Sequence, residues 1–183
     1  MEEKQKIILV VNGAGRTGKD TLCNIIKKSF GNSHFFVSSI SSVDQIKHCA
    51  KILGWDGISK EEVDRKFLSD LKDLSTQYCD APLKYEIQEI EKFNALIKPG
   101  ILFIHIREPQ EIKKLVDIYP EIKTILVRNK NVPTITGNHA DANVENYNYD
   151  YYIDNNGTME EYEKVVLEFI DNLINKGGTN ETN

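Results

Sequence analysis

The stretch Gly13-Ala14-Gly15-Arg16-Thr17-Gly18-Lys19-Asp20-Thr21 follows the apolar run Ile7-Ile8-Leu9-Val10-Val11 and opens a helical pattern. Glycines at 13, 15 and 18 allow positive φ and let backbone amides pass close to an anion with no Cβ in the way. The helix that follows turns the positive end of its dipole to the same point, and Lys19 adds a mobile full charge. Gly13, Gly18 and Lys19 satisfy the pattern G-x-x-x-x-G-K, with the strand before it and the helix after it that the motif requires. The stretch therefore implies a phosphate-binding loop. It departs from the pattern at one position: the residue after the lysine, where a hydroxyl normally holds magnesium, is Asp20, and Thr21 comes next.

Outward from this loop, strands and helices alternate. Residues 6–12 read as a central strand, apolar on both faces, and 19–29 as a helix with Leu22, Ile25 and Ile26 on its packed side. His34 to Val37 reads as a second strand ended by the serines at 38 to 42. Ser42 with Gln45, and Ser59 with Glu62, have the spacing of capping boxes that start two helices. In the second of these, Val63, Phe67, Leu71, Leu74 and Tyr78 draw one apolar stripe, and Arg65 points about 200° away from Val63. Pro82 opens a further helix that Pro99-Gly100 ends. Residues 101–106 and 122–127 read as buried strands, with a short helix after Pro109 between them. From Arg128 to Asn148 neither period holds, which predicts a mobile lid. Tyr151-Tyr152-Ile153 gives a last strand, and Thr158 with Glu161 caps a terminal helix.

This order predicts an α/β chain with a doubly wound parallel sheet in three layers, residues 1–176 forming one domain and 177–183 a frayed tail. At 183 residues the chain has the length of a single domain, and 40% apolar with 28% charged residues suits a globular protein. A net charge of -5 gives no general attraction for nucleic acid or an anionic membrane, so a polyanionic ligand has to be held by local groups. Cys23, Cys49 and Cys79 are too widely spaced for metal pairing and odd in number, which predicts reduced thiols and a cytoplasmic location. The apolar run after the charged N-terminus is too short for a signal peptide or a membrane span. The oligomeric state is not legible.

Ligands of such a sheet lie at the carboxyl ends of its strands. That edge gathers the loop at 13–19, the serines at 38–42, Arg107 with Glu108, and Arg128. The helical region 42–97 is large enough to hold an acceptor, and its closure with the lid would exclude water, a competing phosphoryl acceptor.

Gly18-Lys19-Asp20-Thr21, Asp44-Gln45-Ile46-Lys47, Asp64-Arg65-Lys66-Phe67-Leu68, His139-Ala140-Asp141 and Asp154-Asn155-Asn156-Gly157 together resemble the P-loop kinases of the phage and bacterial deoxynucleoside monophosphate kinase group. The resemblance implies a P-loop NTPase fold of the nucleoside monophosphate kinase type. It also accounts for Asp20, since that group carries an aspartate after the lysine. It implies ATP and magnesium as cofactors and a small phosphorylated acceptor as partner, most naturally a nucleoside or deoxynucleoside monophosphate.

On this basis the ATP site comprises Gly13, Ala14, Gly15, Arg16, Thr17, Gly18, Lys19, Asp20, Thr21 and Arg128. Lys19 is expected on the β- and γ-phosphates, following the transferred group. Arg16 stabilises developing charge or is solvated. Asp20 is expected on the metal, as a carboxylate suits a hard cation, or else only complements the helix dipole. Glu108 is the second metal candidate, or simply starts the next helix. Asp44 and Lys47, three apart on one helix face, reach one ligand or pair with each other. Arg65 suits a bidentate grip on a monophosphate, or is a solvated arginine, and Arg107 is expected on the transferred phosphoryl and the acceptor. No aspartate closes the strand before Arg107, and the lid offers only Arg128 and Lys130. Those two departures keep open a nucleotide-binding protein without transfer. A kinase for a non-nucleotide phosphate such as phosphomevalonate also stays open.

Overall fold

The computed structural model describes residues 5–32, 34–132 and 143–176. Five strands, β1 (Lys6–Asn12), β2 (Phe36–Ser41), β3 (Gly100–His105), β4 (Lys123–Arg128) and β5 (Tyr151–Asp154), form one parallel sheet in the order β2-β3-β1-β4-β5. The helices are α1 (Lys19–Phe30), α2 (Asp44–Ile52), α3 (Glu62–Cys79), α4 (Ala81–Ala95), α5 (Pro109–Ile118) and α6 (Met159–Lys176).

Alternation along β1 divides the core in two. Leu9 and Val11 face the layer of α1 and α6, where Leu22, Ile26, Tyr162, Val166 and Ile170 are buried. Ile8 and Val10 face α4 and α5, through Ile90, Phe93, Ile112 and Leu115. A strand buried on both faces has no polar alternation, which is why β1 and β3 are long apolar runs and β4 keeps Ile125-Leu126-Val127 buried at its centre. The chain leaves β1 toward β2 on one side and reaches β4 and β5 on the other. The carboxyl end of β1 is thus the switch point where a ligand crevice opens, and the glycine-rich loop lies there.

Four expectations are corrected. The second strand runs to Ser41, because as an edge strand it pairs only with β3 and tolerates Ser38, Ser39 and Ser41 within the ladder. The Ser42/Gln45 box does not form: Ser42 is buried with its N–H on the His105 carbonyl, and α2 starts at Asp44, whose carboxylate accepts from Ser41 N–H at 2.7 Å. Nor does the Ser59/Glu62 box: the Ser59 hydroxyl turns to Asp64 instead. The stripe on α3 is not buried, and Val63, Leu74 and Tyr78 stay 69%, 64% and 86% exposed. The physical reason is that α3 packs chiefly on α2 and α4 rather than on the sheet.

The Thr158/Glu161 box forms reciprocally, at 2.7 and 3.3 Å. Helix α4 packs against β2 and β3, so within 42–97 it is α2 and α3 that sit outside the layer on the sheet. Of the predicted lid, residues 133–142, including His139 and Asp141, lie outside the described residues, as does the tail at 177–183. Among the described residues no helix is long and apolar enough to cross a membrane.

Candidate functional site

The loop between β1 and α1 is held from all sides. Positive φ falls at Gly13 (146°), Arg16 (68°) and Gly18 (106°), so the left-handed position expected of Gly15 is taken by Arg16. A Cβ on Gly13 would meet the Val127 carbonyl oxygen at 2.4 Å, and one on Gly18 would meet Asn155 Nδ2 at 2.5 Å. At Gly13 the obstacle is backbone, so space and φ both demand glycine; at Gly18 φ demands it, and the Asn155 amide would have to shift.

The Lys19 ammonium folds back over the loop and donates to the Gly13 and Ala14 carbonyls, the latter at 2.7 Å. Thr17 Oγ1 donates to Ala14 O at 2.9 Å. Asn155 Nδ2 donates to Thr17 O at 3.0 Å, and the Tyr162 hydroxyl to Gly18 O at 3.1 Å. Asn12, fully buried at the end of β1, accepts from Gly13 N–H at 2.7 Å. The Gly13 and Ala14 carbonyls are thus tied within the loop and those of Thr17 and Gly18 from outside it, and the N-terminus of α1 opens beyond it.

Beside the loop, β3 ends in His105. Its Nε2 lies 2.8 Å from Ser39 Oγ and 3.7 Å from Cys23 Sγ, and these side chains with Asp20 border a cleft of about 210 Å³. Burial holds the His105 imidazole below its ordinary value; the charges of Lys19 and Arg107 push the same way, while Asp20 and Asp44 oppose. Burial, reinforced by Asp20, pushes the Cys23 thiol up to about 12, so it is no nucleophile at neutral pH.

Other predicted residues stand elsewhere. Arg16 and Arg107 are exposed, and the Arg107 carbonyl accepts from Asn12 Nδ2 at 3.0 Å. Glu108 occupies the cap position of α5, its carbonyl accepting from the Glu111 and Ile112 amides. Asp44 borders an open hollow of about 310 Å³ between α2 and α4, with His48, Tyr85 and Lys92. Lys47 is exposed on α2. Arg65 folds back onto the Lys60 carbonyl at 2.8 Å, just ahead of α3. Arg128 makes a bidentate pair with Glu145 at 3.1 and 2.7 Å and stacks 4.3 Å from the Tyr152 ring centroid.

Asn12, His105, Tyr149 and Tyr162 were not singled out for the site in the sequence, and Asn155 entered only as part of the Asp154–Gly157 stretch. Only the place of His105 as the last residue of an apolar strand could have marked one of them.

No family model matches the chain, and no curated protein matches its sequence. Among solved structures the chain is similar to the dephospho-CoA kinase of Campylobacter jejuni, at 16% identity with a TM-score of 0.51, over 96% of this chain and 100% of that one. It is also similar to the Deinococcus radiodurans tunicamycin resistance protein, at 10% identity with a TM-score of 0.51, over 89% and 95%. With the loop and the parallel sheet, these likenesses show an α/β P-loop NTPase fold.

Proposed function

We propose that the chain transfers the terminal phosphoryl group of ATP to a small phosphorylated acceptor, with a nucleoside or deoxynucleoside monophosphate as the leading choice. The observation that carries this reading is the pose of Lys19, whose ammonium rests on two carbonyls of the glycine-rich loop. A triphosphate entering there would exchange those neutral acceptors for charged oxygens, which bind an ammonium more strongly. Phosphoryl transfer is catalysed mainly by position and charge, and Lys19, the loop amides, Arg16 and Arg107 would supply both.

Magnesium fits as an ion that arrives with the nucleotide. Among the described residues no cluster of three or more His, Cys, Asp or Glu side chains could hold it. Asp20, exposed in the first turn of α1, would complete a shell made largely of phosphate oxygens and water, which is how this cation is usually bound. Glu108 is the second candidate. The metal would neutralise charge on the donor phosphates.

The acceptor would lie toward Asp44, Lys47, Arg65 and Arg107, with Arg128 turned to the nucleotide. A second reading, nucleotide binding without transfer, is favoured by one observation: the strand next to β1 ends in His105 rather than a carboxylate. A coupled ADP-release assay with ATP, magnesium and a panel of monophosphates decides between them. Acceptor-stimulated ADP release supports transfer; ATP binding without it supports the second reading.

A further inference from the structure

We propose that Asn12 and Tyr149 are positioning residues that couple the segment 144–150 to the phosphate loop, so that nucleotide binding and the ordering of that segment are linked. The inference rests on the nucleotide site proposed above and concerns its regulation.

The Asn12 side chain joins three parts of the chain. Its Oδ1 accepts from Gly13 N–H at 2.7 Å, and its Nδ2 donates to Arg107 O at 3.0 Å and to the Tyr149 hydroxyl at 2.7 Å. A primary amide has two N–H donors, and both are spent. The Tyr149 hydroxyl gives its single proton to the Val144 carbonyl at 2.8 Å, so toward Asn12 it acts as acceptor. The direction of every bond is therefore fixed. Turning the amide over would set Oδ1 against two oxygens with no proton between one of them and itself.

The far end of this chain is anchored independently. Asp150 accepts from Thr124 N–H and Oγ1, each at 2.8 Å, and Tyr149 packs edge-on to Tyr147 and Tyr152 at 5.0 and 6.0 Å. The near end continues through Gly13, whose carbonyl accepts from Lys19. A buried and satisfied network of this kind resists loss of any one member. If ATP favours the loop conformation that Asn12 holds, it favours the bonded state of 144–150 by the same factor.

The test uses the full chain and ATP. The Tyr149→Phe variant keeps the ring and removes the hydroxyl; its ATP affinity by calorimetry, measured below its melting transition, should fall about fivefold or more. ATP should slow amide hydrogen exchange across 144–150 in the unsubstituted chain and do so less in the variant. Equal ATP affinity in the two, or exchange at 144–150 indifferent to ATP in the unsubstituted chain, overturns the coupling and leaves the nucleotide site standing. If Tyr149→Phe fails to fold, the exchange measurement on the unsubstituted chain decides alone. An unsubstituted chain that binds no ATP overturns both the coupling and the reading beneath it.

Discussion

His105 Nε2 lies 2.8 Å from Ser39 Oγ, across the ladder that joins β3 to the edge strand. Burial keeps this imidazole neutral to a lower pH than usual. The folded value is depressed, so the associated stability is present above the unfolded value near 6.5 and lost as pH falls toward the folded one. An NMR titration should place the His105 midpoint below 6.5. A midpoint at or above that value would contradict the burial.

Glu86 carries the opposite sign. It is 1% exposed on α4, neither carboxyl oxygen has a hydrogen-bond partner among the described residues, and burial, helped by Glu111 and Asp80 against Lys72, pushes it up to about 8. A carboxyl raised on folding is protonated in the native state, so stability falls as pH climbs from the unfolded value of 4.5 to about 8. Glu86→Gln should raise the thermal midpoint at pH 9 by several degrees, corresponding to roughly 1–3 kcal/mol, and change it little at pH 4. Melting curves across that range check the slope.

Legibility in the sequence followed the range of the forces involved. Apolar runs marked β1, β3 and the Ile125-Leu126-Val127 centre of β4, and the glycine spacing marked the loop, because both are local consequences of chain geometry. The end of β2 and the exposure of α3 were not legible: an edge strand accepts serine, and an apolar stripe does not say whether a sheet lies under it. The groups that hold the loop come from far along the chain, Tyr149 at 137 residues from Asn12, Asn155 at 138 from Thr17 and Tyr162 at 144 from Gly18. No spacing rule reaches that far. Of the candidate site, Asp20 borders the same cleft as His105, Asp44 borders a separate hollow, and Arg65 folds back onto the Lys60 carbonyl before α3.

Gly13 and Gly18 should tolerate no side chain. A Cβ at either meets an atom closer than 3 Å, at a φ that L-residues avoid. Gly13→Ala and Gly18→Ala should each destabilise the fold by about 1–3 kcal/mol and abolish measurable ATP binding. Denaturant unfolding with calorimetry checks both, and full ATP affinity in either variant would contradict the loop geometry.

The Arg128–Glu145 pair is half exposed, with side chains 41% and 56% accessible, so it contributes at most about 1 kcal/mol to stability. Its interest lies in competition for the guanidinium. If Arg128 serves the nucleotide, Glu145→Gln should tighten ATP binding about threefold with little change in melting, and Arg128→Ala should weaken it. Paired ATP titrations measure both, and identical affinities would remove Arg128 from the site.

The proposed transfer is tested most directly by ADP release with magnesium, ATP and a panel of nucleoside and non-nucleotide monophosphates, set beside the Lys19→Ala variant. At least one acceptor should raise ADP formation in the unsubstituted chain, and Lys19→Ala should lower that rate on the order of a hundredfold or more. ATP binding with no acceptor lifting ADP release above the Lys19→Ala background would contradict it.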